Sequence, residues 1–90
     1  MADKILLLHD AGTAVRRLRK AKGIRASHLA QLTGKSRDTL HRLERGDDVS
    51  LSTLLAVLAG LGCALEITES GPLTLREMER RFADDVNEDE

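Results

Sequence analysis

The spacing of glycines constrains this chain more than any other feature. Gly23, Gly34, Gly46, Gly60 and Gly62 divide the stretch after Thr13 into short segments whose apolar residues recur at helical intervals, the pattern of brief amphipathic helices closed by left-handed stops. In the first, Ala14, Val15, Leu18 and Ala21 follow Thr13, a candidate N-cap, and Gly23 ends the run. The second carries Leu29, Ala30, Leu32 and Thr33 up to Gly34. The third opens at Ser36 as N-cap and passes through Leu40 and Leu43 to Gly46. Ser50 caps a fourth, in which Leu51, Leu54, Leu55, Leu58 and Leu61 mark a wide apolar stripe that Gly60 and Gly62 end. The few residues around Gly34 are too tight for an antiparallel hairpin and suit a sharp crossing of two helices.

Outside this region the pattern changes. Cys63, Leu65 and Ile67 alternate with Ala64, Glu66 and Thr68, a period-2 pattern that predicts a short half-buried strand over 63–68. Ile5 to Leu8 is a candidate partner strand within an N-terminal segment, 1–12. A lone short strand is not stable, so pairing with that segment or with a second protomer is implied. After Gly71 and Pro72, Thr74 and Glu77 form a capping box that predicts a last helix with Leu75, Met78 and Phe82 on one side. That side fits equally a partner or the chain's own core. From Ala83 onward the sequence is acidic. Ninety residues suffice for one core only, so the expected organisation is an N-terminal segment, 1–12, an all-α core region with the strand, 13–68, and a C-terminal helix and tail, 69–90.

The formal net charge of −1 conceals a division. From Thr13 to Gly46 ten basic residues face only Asp38 and Glu44, a net +8, whereas from Asp47 to Glu90 three arginines face eleven acids, a net −8. A basic block of this density in an otherwise neutral chain is the footprint of a polyanion-binding surface. Single-stranded nucleic acid is commonly held by stacking on aromatic rings, and Phe82, the one aromatic residue, lies outside the block. Duplex DNA is the expected ligand.

Catalytic chemistry finds no foothold. His9, His28 and His41 lack metal-ligand spacing among themselves and with Cys63, no glycine-rich phosphate loop follows a strand, and the acids of the tail are crowded at a chain end. Neither an enzyme nor a metal or other cofactor is expected. The lone Cys63 has no internal disulfide partner and sits in an apolar alternation that suits an inert thiol. No stretch has signal-peptide order, and no apolar run approaches the roughly 20 residues of a membrane span, so a cytoplasmic protein without a membrane partner is expected.

From Gly23 through Leu29-Ala30-Gln31-Leu32-Thr33-Gly34 and Leu40-His41-Arg42-Leu43-Glu44-Arg45-Gly46, the chain resembles the Cro/repressor, or XRE-like, helix-turn-helix family. The pattern has physical reasons. Ala30 is small where two helices cross, Gly34 allows the positive φ of the turn, and Leu29, Leu40 and Leu43 plug the pair into the core. The resemblance implies an all-α domain of four to five helices, and an ion pair between Arg19 and Glu44. It also implies that the third helix enters the major groove with Arg37, Asp38, His41 and Arg42 toward base edges. Arg37 and Arg42 suit guanine O6 and N7, and Asp38 either accepts from cytosine N4 or orients Arg42 one turn away. Arg25, Ser27, Lys35, Ser36, Thr39 and Arg45 are then expected at phosphates. Two positions depart from the family. Arg25 and Ala26 stand where Thr-Gln is usual, which removes a common contact of that Gln, and Lys35 replaces an apolar turn residue and must turn its ammonium outward.

Val49 to Ile67 is similar to antitoxins of the HipB group. That likeness implies an autoregulating antitoxin, a homodimer formed in part by the strand after the fourth helix, and a HipA-like kinase toxin as partner. Leu61, Leu65, Ile67, Leu75, Met78 and Phe82 are the candidate dimer or partner contacts. Two other readings are open: a stand-alone phage or chromosomal repressor using the same DNA surface, and an interaction module that has lost DNA binding, suggested by Ala26, Lys35 and Asp38.

Overall fold

The computed structural model describes residues 4–69 and 79–80. Four helices follow in chain order, α1 (Leu8–Ala21), α2 (Ala26–Thr33), α3 (Arg37–Arg45) and α4 (Leu51–Gly60), and the described residues contain no strand. The all-α class is therefore as the sequence implies. The expected C-terminal helix lies outside the described residues, apart from Glu79 and Arg80, which are helical and exposed.

Helix α1 begins well before Thr13. Its N-cap is Leu7, whose side chain has nothing to offer the first turn. Asp10 acts instead: its carboxylate accepts from the backbone N–H of Leu6 at 2.9 Å and of Leu7 at 3.1 Å, and its charge suits the positive end of the helix. The candidate strand at Ile5 to Leu8 is thus replaced by a lead-in and the first helical residue. Thr13 lies inside the helix, and so does Gly12, which resembles a break in the sequence but is a crossing point. A Cβ at Gly12 would lie 2.5 Å from the Leu43 carbonyl oxygen and 2.7 Å from that of Glu44. Only a residue without a side chain lets the α1 and α3 backbones meet there, and that contact outweighs the low helix propensity of glycine.

The other ends follow the local chemistry. Gly34 closes α2 at φ 71°, and the next N–H, that of Lys35, returns to the Ala30 carbonyl at 3.0 Å, the bond pair of a left-handed helix stop. Ser36 then caps α3 by accepting the Thr39 N–H at 3.0 Å. Ser50 does the same for α4 with the Thr53 N–H at 3.1 Å. Three residues, Gly34 to Ser36, therefore turn the chain from α2 into α3.

Val15, Leu29, Ala30, Leu40, Leu43, Val57 and Leu61 form a single core, with Leu18, Ile24, Leu54, Leu58 and Cys63 packed around it. The face that α4 turns inward keeps Leu54, Leu58 and Leu61 of the expected stripe at or against the core but not Leu51 and Leu55. Thr53, Val57 and Leu61 point into the core, while Leu51 is 62% exposed and Leu55 is also outside. A helix that is apolar on nearly every side carries little contrast to set its own rotation. Gly60 helps to set it, since a Cβ there would lie 2.7 Å from Thr33 Cγ2 and 3.0 Å from Leu29 Cδ1. Leu61, expected at a dimer or partner surface, is 2% exposed and belongs to the chain's own core, four residues beyond Val57 on the same face.

The expected strand over 63–68 carries no ladder, because no neighbouring strand is within the described chain to pair with it. Cys63 is half-buried, its N–H bonded to the Leu58 carbonyl at 2.8 Å, while Leu65 is exposed and Ile67 is 94% exposed.

Candidate nucleic-acid interface

Helix α3 is built with two opposed characters. Leu40 and Leu43 are buried to within 2% and anchor it from behind, and residues a turn away on the opposite side must then face solvent. Arg37, Asp38, His41, Arg42 and Arg45 are all exposed. The four residues expected to read bases therefore share one outward face.

The expected phosphate contacts surround this face unevenly. Arg25 precedes α2 as its N-cap without a side-chain cap bond, and it and Ser27 are exposed. Lys35 is partly buried, with its backbone engaged by the turn. Ser36 and Thr39 are occupied with each other: besides accepting the Thr39 N–H, the Ser36 hydroxyl donates to Thr39 Oγ1 at 2.9 Å. Arg42 Nη2 donates to the Asp48 carbonyl oxygen at 3.2 Å, which draws this side chain toward the α3–α4 loop.

Ion pairs order Arg19 and Arg45. Arg19 Nε and Nη2 donate to the two Glu44 carboxylate oxygens at 2.7 and 3.0 Å, and Nη1 donates to the Ile24 carbonyl at 3.0 Å. The side chains are only 13% and 10% exposed, so the fork locks α1, the α1–α2 loop and α3 together with its hydrogen-bonding capacity well used. The hydrogen bond from Glu44 raises the Arg19 pKa above its ordinary value against the opposing cost of burial, so the guanidinium stays charged. Next to Glu44, at the C-terminal end of α3, Arg45 Nε donates to Asp47 Oδ2 at 3.0 Å. That hydrogen bond holds the Asp47 carboxyl below its usual range, with the charges of Arg45, Arg42 and His41 acting in the same direction. Asp47 thus lies in the field of the cations on the outward face.

Between α1 and α3 lies an open groove of about 650 Å³, lined among others by Arg16, Arg19, Ala26, Arg37, His41 and Arg45. Asp38 and Glu44 line it too, and Arg16, Arg19 and Ala26 come from outside the set expected to touch DNA, Arg19 being held in its pair with Glu44. Ala26 leaves the groove wide at the start of α2. Arg16 belongs to the basic block, but its sequence position alone did not reveal that α1 turns it toward α3. The described residues contain no cluster of histidine, cysteine and carboxylate side chains able to hold a metal ion, and no helix long and apolar enough to cross a membrane.

Comparison with known proteins agrees with this geometry. The helix-turn-helix domain family matches residues 10–69. Among solved structures, the clp gene regulator ClgR from Corynebacterium glutamicum is 36% identical over 67% of this chain and 65% of its own, with a TM-score of 0.61. The restriction-modification controller protein C.AhdI from Aeromonas hydrophila is 37% identical over 62% of this chain and 86% of its own, at a TM-score of 0.59. HipB in complex with an O2 20mer is 21% identical over 79% of this chain and all of its own, at a TM-score of 0.74, a likeness of fold. No curated protein matches significantly. A three-residue turn between α2 and α3, a leucine-anchored third helix with a cationic outer face, and a family match over residues 10–69 together show that this chain belongs to the helix-turn-helix domain family.

Proposed function

We propose that this chain is a sequence-specific transcriptional repressor that binds double-stranded operator DNA as a homodimer, with α3 in the major groove. The observation that carries the reading is the division of α3 into a buried leucine side and an exposed side bearing Arg37, Asp38, His41 and Arg42. Arg37 and Arg42 read guanines, Asp38 reads cytosine or orients Arg42, and Arg25, Ser27, Lys35, Ser36, Thr39 and Arg45 hold phosphates. A single nine-residue recognition helix presents too little surface for tight specific binding, and two-fold symmetry doubles it across half-sites one helical turn apart. Leu65 and Ile67, both exposed, supply the apolar contacts between protomers.

Two regulatory settings fit. The fold of HipB, including a complex of HipA, HipB and O2-O3 at 22% identity, supports an antitoxin that represses its own operon and binds a HipA-like kinase toxin. The higher identity to ClgR and C.AhdI supports a regulator without a toxin. An adjacent reading frame for a kinase whose product co-purifies with this chain selects the first setting, and its absence selects the second.

The central test begins with DNA fragments retained by the purified chain, which define the site. Arg42→Ala then lowers affinity for that site about tenfold or more, as expected for a lost bidentate base contact of roughly 1–3 kcal/mol, while binding to unrelated duplex changes far less. Equal losses on both would remove Arg42 from base reading. A parent chain that retains no duplex refutes the proposal as a whole.

A further inference from the structure

The groove between α1 and α3 holds a cation that the helix-turn-helix reading leaves without a role. Four guanidinium groups line it, and two of them are accounted for. Arg19 is engaged by Glu44 and by the Ile24 carbonyl, and Arg45 by Asp47. Arg16 and Arg37 have no hydrogen-bond or ion-pair partner among the described residues. Arg37 belongs to the outward face of α3 already discussed. Arg16 does not: it stands on α1, outside the α2–turn–α3 pair, and is exposed. The positions one helical turn away from it are Gly12, Thr13, Arg19 and Lys20, so its own helix offers no carboxylate to pair with it. Asp38 and Glu44 also line the groove, and Glu44 is taken up by Arg19, so four guanidinium groups face two carboxylates and the groove keeps a positive balance that favours an incoming anion.

We propose that the α1–α3 groove seats one backbone phosphate of duplex DNA and that Arg16 is its anchoring cation, so that the chain grips DNA from α1 as well as from α2 and α3. The inference rests on the DNA-binding reading above and adds to it a contact outside the motif. Phosphate contacts set register and orientation and carry no sequence information directly. Because Arg19 and Glu44 tie α1 to α3, Arg16 and α3 grip the duplex as one rigid unit, to which Arg16 adds affinity without sequence preference.

The test compares the full chain with Arg16→Ala and Arg16→Lys on the selected duplex and on an unrelated one, across a range of salt concentrations. In the homodimer Arg16→Ala removes two phosphate contacts, one per protomer, which makes the slope of log K against log salt shallower by about 1.8 and weakens binding roughly 30- to 100-fold near 0.1 M salt, equally on both duplexes. Arg16→Lys keeps most of the slope. Both variants melt at the parent's temperature, because the side chain is exposed and unpaired. An alanine variant that matches the parent in slope and affinity overturns the phosphate seat and leaves the DNA reading standing. A loss confined to the selected duplex also overturns it, since phosphates do not differ with sequence. A parent chain without salt-dependent duplex binding overturns both.

Discussion

The α2–turn–α3 pair and α4 draw on the same few apolar residue types, yet they arrive at opposite kinds of surface. In α3 two leucines stand against six charged or ionisable residues, and the helix settles with its leucines at 2% exposure or less. In α4 leucine, alanine and valine occupy almost every side, so burial of Val57 leaves Leu51 and Leu55 in solvent. Contrast between faces decides which way a helix turns, and total hydrophobicity does not. Helix α3 therefore leaves no large apolar side chain in solvent, although Leu32 of α2 is 57% exposed, and α4 presents apolar surface that a second protomer covers in the proposed homodimer.

The most severe test of that contrast pairs two alanine substitutions of one residue type. Leu40→Ala removes a side chain enclosed by the core and is expected to cost about 2–5 kcal/mol in denaturant unfolding, whereas Leu55→Ala is expected to leave the monomer within about 0.5 kcal/mol of the parent and to shift sedimentation toward smaller species. If Leu55→Ala unfolds a dilute monomer as readily as Leu40→Ala, the distinction between the two helices is lost. Next in size, Glu44→Ala strands the Arg19 guanidinium with only the Ile24 carbonyl and is expected to destabilise by about 2–3 kcal/mol. Because the pair joins α1 to α3, the loss should be accompanied by weaker DNA binding in protein that is still folded, and stability unchanged within error would show the fork to be ornamental.

The smallest effect concerns the exposed pair at the end of α3. The Asp47 carboxyl titrates below its ordinary range in the folded chain, so its contribution is present above the unfolded carboxyl value of about 3.9 and is lost as pH falls through the lower folded value. Thermal melts from pH 5 down to pH 2 should therefore show a slightly gentler acid decline for Asp47→Asn than for the parent. Identical acid limbs would mean that Arg45 and Asp47 do not associate in solution, where exposed pairs are heavily screened.

Legibility in the sequence followed the same contrast. The helix stops at Gly34 and Gly46 and the serine caps at positions 36 and 50 were readable because each is a local device, complete within one turn. The proximity of Arg19 and Glu44 was readable only through the family resemblance, since the two residues are 25 positions apart. The start of α1 was misread at Thr13, because its cap is supplied by Asp10 reaching back to Leu6 and Leu7 rather than by a polar residue at the cap itself. The rotation of α4, and with it the burial of Leu61, could not be read from a helix apolar on all sides. The period-2 run through Leu65 and Ile67 signals a strand whose formation depends on a neighbour, and a single chain does not specify one. Arg16 was visible as part of a basic block, but its position on the groove depends on how α1 crosses α3.

That crossing has an effect beyond packing. With backbone touching backbone at Gly12, α1 serves as a fixed stop behind α3 and, in the proposed complex, limits how far that helix can withdraw from the duplex. A methyl group at position 12 would push α3 outward like a shim, so a residue outside the proposed DNA contacts would change how deeply the protein reads.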